Sequence, residues 1–504
     1  VNGGTFNGEF KKFLGCTITG GTFPISYETN GGSWTKGYTA PTAYSYSTSL
    51  RIALPDADNI SNGDSLFAGW YDNEDFEGNA LTHIPAKTAG KLTLYAKFIS
   101  TTATWELIST SAREDVDYAK DADGNYTVYT AKGLAKIAAI VNDGDDLFGK
   151  TVTLANDIDL LSGGVDGYGA GTVTETNSWE PIYDFSGTFD GKGHKISNLF
   201  IAATDKNVGL FGFNAGTIKN LEIESGRITA EISSDWSRYA GGIAASTSGL
   251  IDNCVNRAEV FVKVTAYSSY GCYIGGITGL HSTDALSNGM NISKVSNCVN
   301  YGTISANGAA YCGGIAGYQF SGRNVVNGVP RKTLIEKCTN EGTRSAGGSG
   351  WGGGIAGSVQ SNSASDTSIT ATIANCCNKG LISGRDVGGI SGLNQNRVYI
   401  YNCYNFGGLN GTVNAGGIVG ITQYDSPVIS NCYNTGTIAI NQTANIGGIA
   451  GNLLTGEVSN CYYLMSTGLA AFGQEGTAAT VQDCLAFNSV SGSHTLDGTV
   501  YGTS

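Results

Sequence analysis

The run Asn414-Ala415-Gly416-Gly417-Ile418-Val419-Gly420, followed by Ile429-Ser430-Asn431-Cys432-Tyr433-Asn434-Thr435-Gly436, decides the reading of this 504-residue chain. Its two halves recur together seven times, at intervals of about 28 to 44 residues. The first half repeats as a Gly-Gly-Ile run ending at Ile243, Ile277, Ile315, Ile355, Ile390, Ile418 and Ile449. The second half places Cys254, Cys298, Cys338, Cys376, Cys403, Cys432 and Cys461 at one repeat position, each three residues after an Ile or Val. Such a period marks a solenoid, because one unit cannot bury its own apolar face and must stack on its neighbours. Short Ile/Val/Thr/Tyr runs broken by Gly and Asn make the units β coils rather than helix pairs.

Within the unit from Gly416 to Ala444, three strand-like runs are expected: Gly417 to Ile421, Pro427 to Tyr433 and Gly436 to Ile440. Three strands per turn predicts a right-handed parallel β-helix, mostly β, with equivalent residues stacked about 4.8 Å apart. The repeated Ile then forms an inward ladder, each member contributing roughly 1.5 to 3 kcal/mol. Asn-x-Gly is expected to supply a corner, since both residues tolerate positive φ. The three-residue step from the apolar position to the Cys breaks strict alternation and predicts a bend or bulge between them.

On these residues the pattern G-G-I-x-G … N-C-Y-N-x-G resembles the GLUG motif of bacterial surface proteins. Upstream, Phe185 to Leu199, Val208 to Gly212 and Gly216 to Leu221 resemble the first coils that precede such motifs, so the helix is expected from residue 148 to residue 504. A second resemblance covers residues 24–99. Tyr27-Glu28-Thr29-Asn30-Gly31-Gly32, Phe67-Ala68-Gly69-Trp70-Tyr71, Ile84-Pro85 and Gly90 to Phe98 are similar to the Listeria-Bacteroides repeat, with Phe98 where that family usually has Trp. The resemblance implies a small β-grasp-like module serving as spacer or adhesion unit on a surface protein.

Residues 100–147 read as linker and cap. Tyr126 to Val128 is expected as a strand and Thr130 to Asn142 as an amphipathic helix with Leu134, Ile137, Ala138 and Val141 on one stripe. Such a helix would shield the open sheet edge of the first coil. Residues 1–23 carry two Gly-Gly-Thr-Phe runs around Cys16-Thr17-Ile18-Thr19, expected to be strands of a partial coil or strands exchanged with another copy. The chain opens at Val1 without Met or leader, which reads as a processed or trimmed piece.

Seventy-four Gly and 14% charged residues suit stacked coils. A net charge of −13 argues against nucleic acid or an anionic membrane as partner, and no apolar run is long enough to span a bilayer. Seven of the twelve Cys occupy one ladder position, where side chains point the same way. The reading favours buried free thiols over bridges between neighbouring coils, with Cys377, at the next, outward position, the one expected to be exposed. That outward column continues through Tyr404, Tyr433 and Tyr462, which either brace the sheet as a ladder or contact a glycan.

Catalytic signatures fail on context. Gly144 to Thr151 fits a P-loop expression, but a strand-like run follows where the phosphate-binding helix must start. Gly348 to Gly353 fits a dinucleotide fingerprint only as a Gly-rich chain does by chance. Asp121 to Asn125 begins like a calcium loop, with Lys132 where its carboxylate should stand, and reads as a hairpin turn. The four His are scattered, and no nucleophile elbow occurs. The expectation is a non-enzymatic, extracellular or cell-surface adhesin or structural protein without cofactor or metal. Its partner would be a glycan or protein of a host or neighbouring cell. A filament subunit and a carbohydrate-active β-helix are the alternatives.

Overall fold

The computed structural model describes residues 2–5, 20–46, 52–55, 59–62, 66–76, 81–99 apart from 82 and 86, 105–160 apart from 111, and 178–487 apart from nine short stretches, together with 494–496 and 499–501. The nine are 234–236, 266–270, 284–291, 323–330, 348–349, 363–368, 425–426, 440–444 and 465–468. Cys16 to Thr19 and Gly348 therefore lie outside the described residues.

The larger unit is a parallel β-helix. Its first coil pairs Thr151–Leu154 with Thr188–Asp190, and parallel pairing then passes from coil to coil as far as Leu485–Phe487. Among the described residues, three sheets run along it, with 20, 11 and 12 strands. The unit read from the sequence has finer divisions than expected: Val419–Gln423, Val428–Ser430 and the two-residue strand Tyr433–Asn434. Before the first coil, Tyr126–Val128 forms a strand and Ala131–Asn142 a helix, as the sequence implies. Asn142, its last residue, donates Nδ2 to the Pro181 carbonyl and accepts the Tyr183 amide, tying the helix end to the first coil.

Apolar residue and Cys both face inward because the residue before each Cys is left-handed. Asn253, Asn297, Lys337, Asn375, Asn402, Asn431 and Asn460 have φ of 50–54°. One such residue turns the chain through the corner and resets the alternation. The expected bend is thus made by the Asn or Lys immediately before Cys. The Asn-x-Gly that was expected to turn the corner has no positive φ at either residue, and its role lies elsewhere.

The small β domain is a separate sheet in which Gly20–Glu28 pairs with Ala43–Ser45 and Leu92–Ile99, and Leu66–Tyr71 pairs with the latter. Phe23, Tyr44, Trp70, Leu94 and Ala96 form its core, and the Trp70 indole donates to the Pro55 carbonyl at 2.7 Å. Its first strand crosses the expected boundary at residue 23: Gly20 to Phe23 belong to this sheet, and Asn2–Thr5 adds to its edge in parallel.

Candidate functional site

Inside the solenoid, Ile243, Ile277, Ile315, Ile355, Ile390, Ile418 and Ile449 are all fully buried. Cys254, Cys298, Cys338, Cys376, Cys403, Cys432 and Cys461 stack beside them as free, buried thiols. Each Sγ lies 3.0–3.4 Å from the carbonyl oxygen two residues earlier, so the S–H donates locally. Cys484 continues the column one coil further, next to the left-handed Asp483.

A third interior column, unforeseen from sequence, consists of Asn256, Asn300, Asn340, Asn378, Asn405 and Asn434. Each Nδ2 donates to the Oδ1 of the next coil's Asn, over 2.7–2.9 Å in all five steps. The same nitrogen donates to the carbonyl two residues on, so these buried amides are satisfied by repetition itself. The second Gly of the Gly-Gly-Ile run faces this ladder. A Cβ at Gly276, Gly314 or Gly354 would lie 2.3–2.4 Å from the Cγ of Asn300, Asn340 or Asn378. The two halves of the motif are therefore opposite sides of one interior contact. The Gly after Asn is required as well: a Cβ at Gly380 would sit 2.0 Å from the Gly342 carbonyl oxygen.

On the outer surface, register places Val255, Val299, Thr339, Cys377, Tyr404, Tyr433 and Tyr462 in one column. Cys377 was expected to be exposed; it is 3% exposed, its place in the column lying between Thr339 and Tyr404, and burial pushes its thiol up to about 12. Cys484, half-buried, is the ladder thiol that solvent reaches. A thiol reagent applied to the native chain is expected to modify Cys484 well before Cys377 or the seven ladder cysteines, read by peptide mass spectrometry. Prior labelling of Cys377 would contradict its burial.

Tyr404 and Tyr433 stack with ring centroids 5.8 Å apart at 23°, so each covers a face of the other. Phe406 stands edge-on to both and is 40% exposed, and Tyr401 is 37% exposed just before the corner. A longer aromatic column was missed. Tyr239, Tyr273, Tyr311 and Trp351 align two residues before the Gly-Gly pair in successive coils. Their rings stack at 5.8, 5.2 and 4.5 Å, Tyr318 adds a ring 4.8 Å from Tyr273, and the Arg385 guanidinium lies over Trp351. The sequence signal was an aromatic at a fixed offset from Gly-Gly, visible only once coils are aligned on that pair.

Charged groups chiefly connect neighbouring coils: Lys195–Glu224, Arg227–Glu259, Arg257–Glu222, Lys263–Glu231, Lys294–Glu336 and Lys379–Glu341, at 2.6–3.2 Å. Exposed pairs of this kind each contribute under about 1 kcal/mol, but they occupy the carboxylates. Arg344 replaces an inward apolar residue, between Ile304 and Ile382, and is wholly buried. Its Nη1 donates to the Cys312 carbonyl at 2.6 Å, and Gly352 leaves room for the guanidinium.

His281 is also wholly buried, and burial lowers it to about 4 from 6.5. Between those values the unfolded chain holds a proton the folded chain refuses, so stability falls as pH drops from about 6.5 and levels below about 4. The loss is about 3 kcal/mol, present in full only at the acid end. Chemical denaturation at pH 7 and pH 4 is expected to show it, with a smaller acid loss in His281→Leu; equal losses in the two proteins would sink this assignment.

These ladders define a repeat protein of the parallel β-helix class, built to hold many coils in one register. Comparison with known proteins gives two family matches: the Listeria-Bacteroides repeat domain at residues 23–97 and the GLUG motif at residues 411–439. Halomucin of Haloquadratum walsbyi is 30% identical over 155 residues, covering 29% of this chain and 2% of halomucin. A candidate Gly-rich membrane protein of Evansella cellulosilytica is 32% identical over 135 residues, 25% of this chain and 14% of that protein. The chain thus corresponds to only a small part of the curated relatives it matches. Among solved structures, a candidate immunoglobulin A1 protease from Bacteroides ovatus aligns with a TM-score of 0.40 and 22% identity, over 66% of this chain and 85% of that one.

Proposed function

We propose that this chain is part of a cell-surface or secreted bacterial protein in which the solenoid is a rigid, non-enzymatic scaffold for adhesion. The observation that carries the reading is where the repeated residues are spent: Ile, Cys, Asn and Gly of each motif serve coil-to-coil contact. The cross-coil ion pairs occupy six of the carboxylates in the same way. What is left to vary is the outer surface, where Phe406 offers apolar area against the Tyr404–Tyr433 pair and Tyr401 stands exposed on the other side of the corner at Asn402. Glycans or proteins of another cell fit such a patch, because ring faces and hydroxyl groups lie together there. Both matched repeat types resemble modules of bacterial surface proteins, and the names of the two relatives agree with an outer location.

The test is a binding screen of the intact chain on arrayed glycans and extracellular-matrix proteins, beside the Tyr401→Ser/Phe406→Ser variant. Saturable binding weakened at least tenfold in the variant is expected. Release of reducing sugars from an arrayed polysaccharide would instead favour the carbohydrate-active reading, and identical binding by both proteins would remove the patch from the account. The filament reading finds a specific foothold in the edge strand Asn2–Thr5. Negative-stain microscopy with and without residues 1–19, a truncation that spares the Gly20–Glu28 strand, separates it, since strand exchange requires filaments that vanish on truncation.

A further inference from the structure

We propose that the interior of the solenoid contains a built water site between His281 and Gln319. The two residues occupy the same register position on adjacent coils, in the strands Thr278–Ser282 and Ala316–Ser321, and both are wholly buried. Gln319 directs Nε2 to Thr333 Oγ1 at 3.2 Å and to the Thr372 carbonyl at 2.9 Å, while its Oε1 meets no donor. Neither ring nitrogen of His281 has a partner in hydrogen-bond geometry, although the ring approaches the Ser293 main chain. On the far side, Thr247 is already engaged: its hydroxyl accepts from Asn214 Nδ2 at 3.0 Å.

Unmade hydrogen bonds on buried groups are costly, and natural interiors fill such gaps with water when two or more polar partners surround the space. Coils lie about 4.8 Å apart, and a water with two hydrogen bonds of about 2.8 Å spans up to about 5.5 Å. It would donate one hydrogen to Gln319 Oε1 and the other to the unprotonated nitrogen of the neutral imidazole. A metal ion is the poorer occupant, because among the described residues no three His, Cys, Asp or Glu side chains gather to hold one. Val359 follows Gln319 in this column and separates the pair from the buried Asn394 and Thr422 that resume it in later coils.

A crystal structure of the intact chain at better than about 1.8 Å tests this directly, with the His281→Leu/Gln319→Leu variant as companion. The expected result is a solvent peak within hydrogen-bond distance of both side chains, absent from the variant. The variant should melt at or above the temperature of the parent, since it buries no open polar group. An empty gap in the parent, a direct His281–Gln319 hydrogen bond, or an anomalous scatterer at the position would each overturn the proposal.

Discussion

Replacing Gly354 by Val is expected to destabilise the central coils by more than about 4 kcal/mol, enough to leave them open under native conditions. A Cβ there would lie 2.1 Å from the Gly389 carbonyl oxygen and 2.4 Å from Asn378 Cγ. One obstacle is backbone and the other a side chain held on both flanks, so neither can yield without shifting a neighbouring coil. Gly408→Ala is the informative comparison. It meets the flexible Leu381 Cδ1 at 3.1 Å and should cost about 1 kcal/mol or less. Hydrogen exchange read by mass spectrometry checks both, because it reports coil by coil: protection around residues 340–420 should be lost in Gly354→Val and kept in Gly408→Ala. Retained protection in Gly354→Val would show that the interior is looser than the stacking described.

The second large effect is expected at Asn378. Its amide donates to the Asn405 side chain and the Gly380 carbonyl and accepts from the Asn340 side chain and the Gly380 amide, four bonds within a sealed interior. Asn378→Ala removes all four and opens a void facing Gly354, for an expected loss of about 3 kcal/mol. Asn434 ends the ladder, with Tyr463 in the next coil, so Asn434→Ala should cost less, about 1 to 2 kcal/mol. Asn378→Asp should cost more than Asn378→Ala, since it buries a charge and deletes the donor that reaches Asn405. Denaturant titration of the three variants gives the ranking, and a terminal substitution as damaging as the central one would argue against a ladder.

Much of the architecture was legible because repetition does the work of an alignment within one chain. The seven Gly-Gly-Ile runs, each followed by a Cys that in six cases stands behind an Asn, specified the coil, the inward Ile and the thiol column, and the amphipathic stripe from Leu134 to Val141 marked the helix Ala131–Asn142. The corner was legible as a conflict in alternation between Ile373 and Cys376, but its maker, Asn375, looked no different from any Asn in a turn-rich sequence. Asn378 was misread for the same reason. Its preference for positive φ pointed to a corner, whereas stacking gives its amide a better use as a repeated interior hydrogen bond. The Tyr239 to Trp351 column was hidden because side-chain stacking depends on register across coils of unequal length. Cys377 illustrates the limit of inward and outward reasoning: an outward residue in a solenoid is covered when the coils above and below present bulk. His281 and Arg344 carry no repeat signal at all, since each occurs once in its column.

The account rests on neighbouring asparagines supporting one another through the interior, and a double-mutant cycle at Asn378 and Asn405 measures that support most directly. Denaturant unfolding of the parent, Asn378→Ala, Asn405→Ala and the double variant should give a coupling of at least about 1 kcal/mol, because the second substitution removes a bond the first has already broken. Strictly additive losses, within about 0.3 kcal/mol, would mean the two amides do not share a bond and would contradict the ladder.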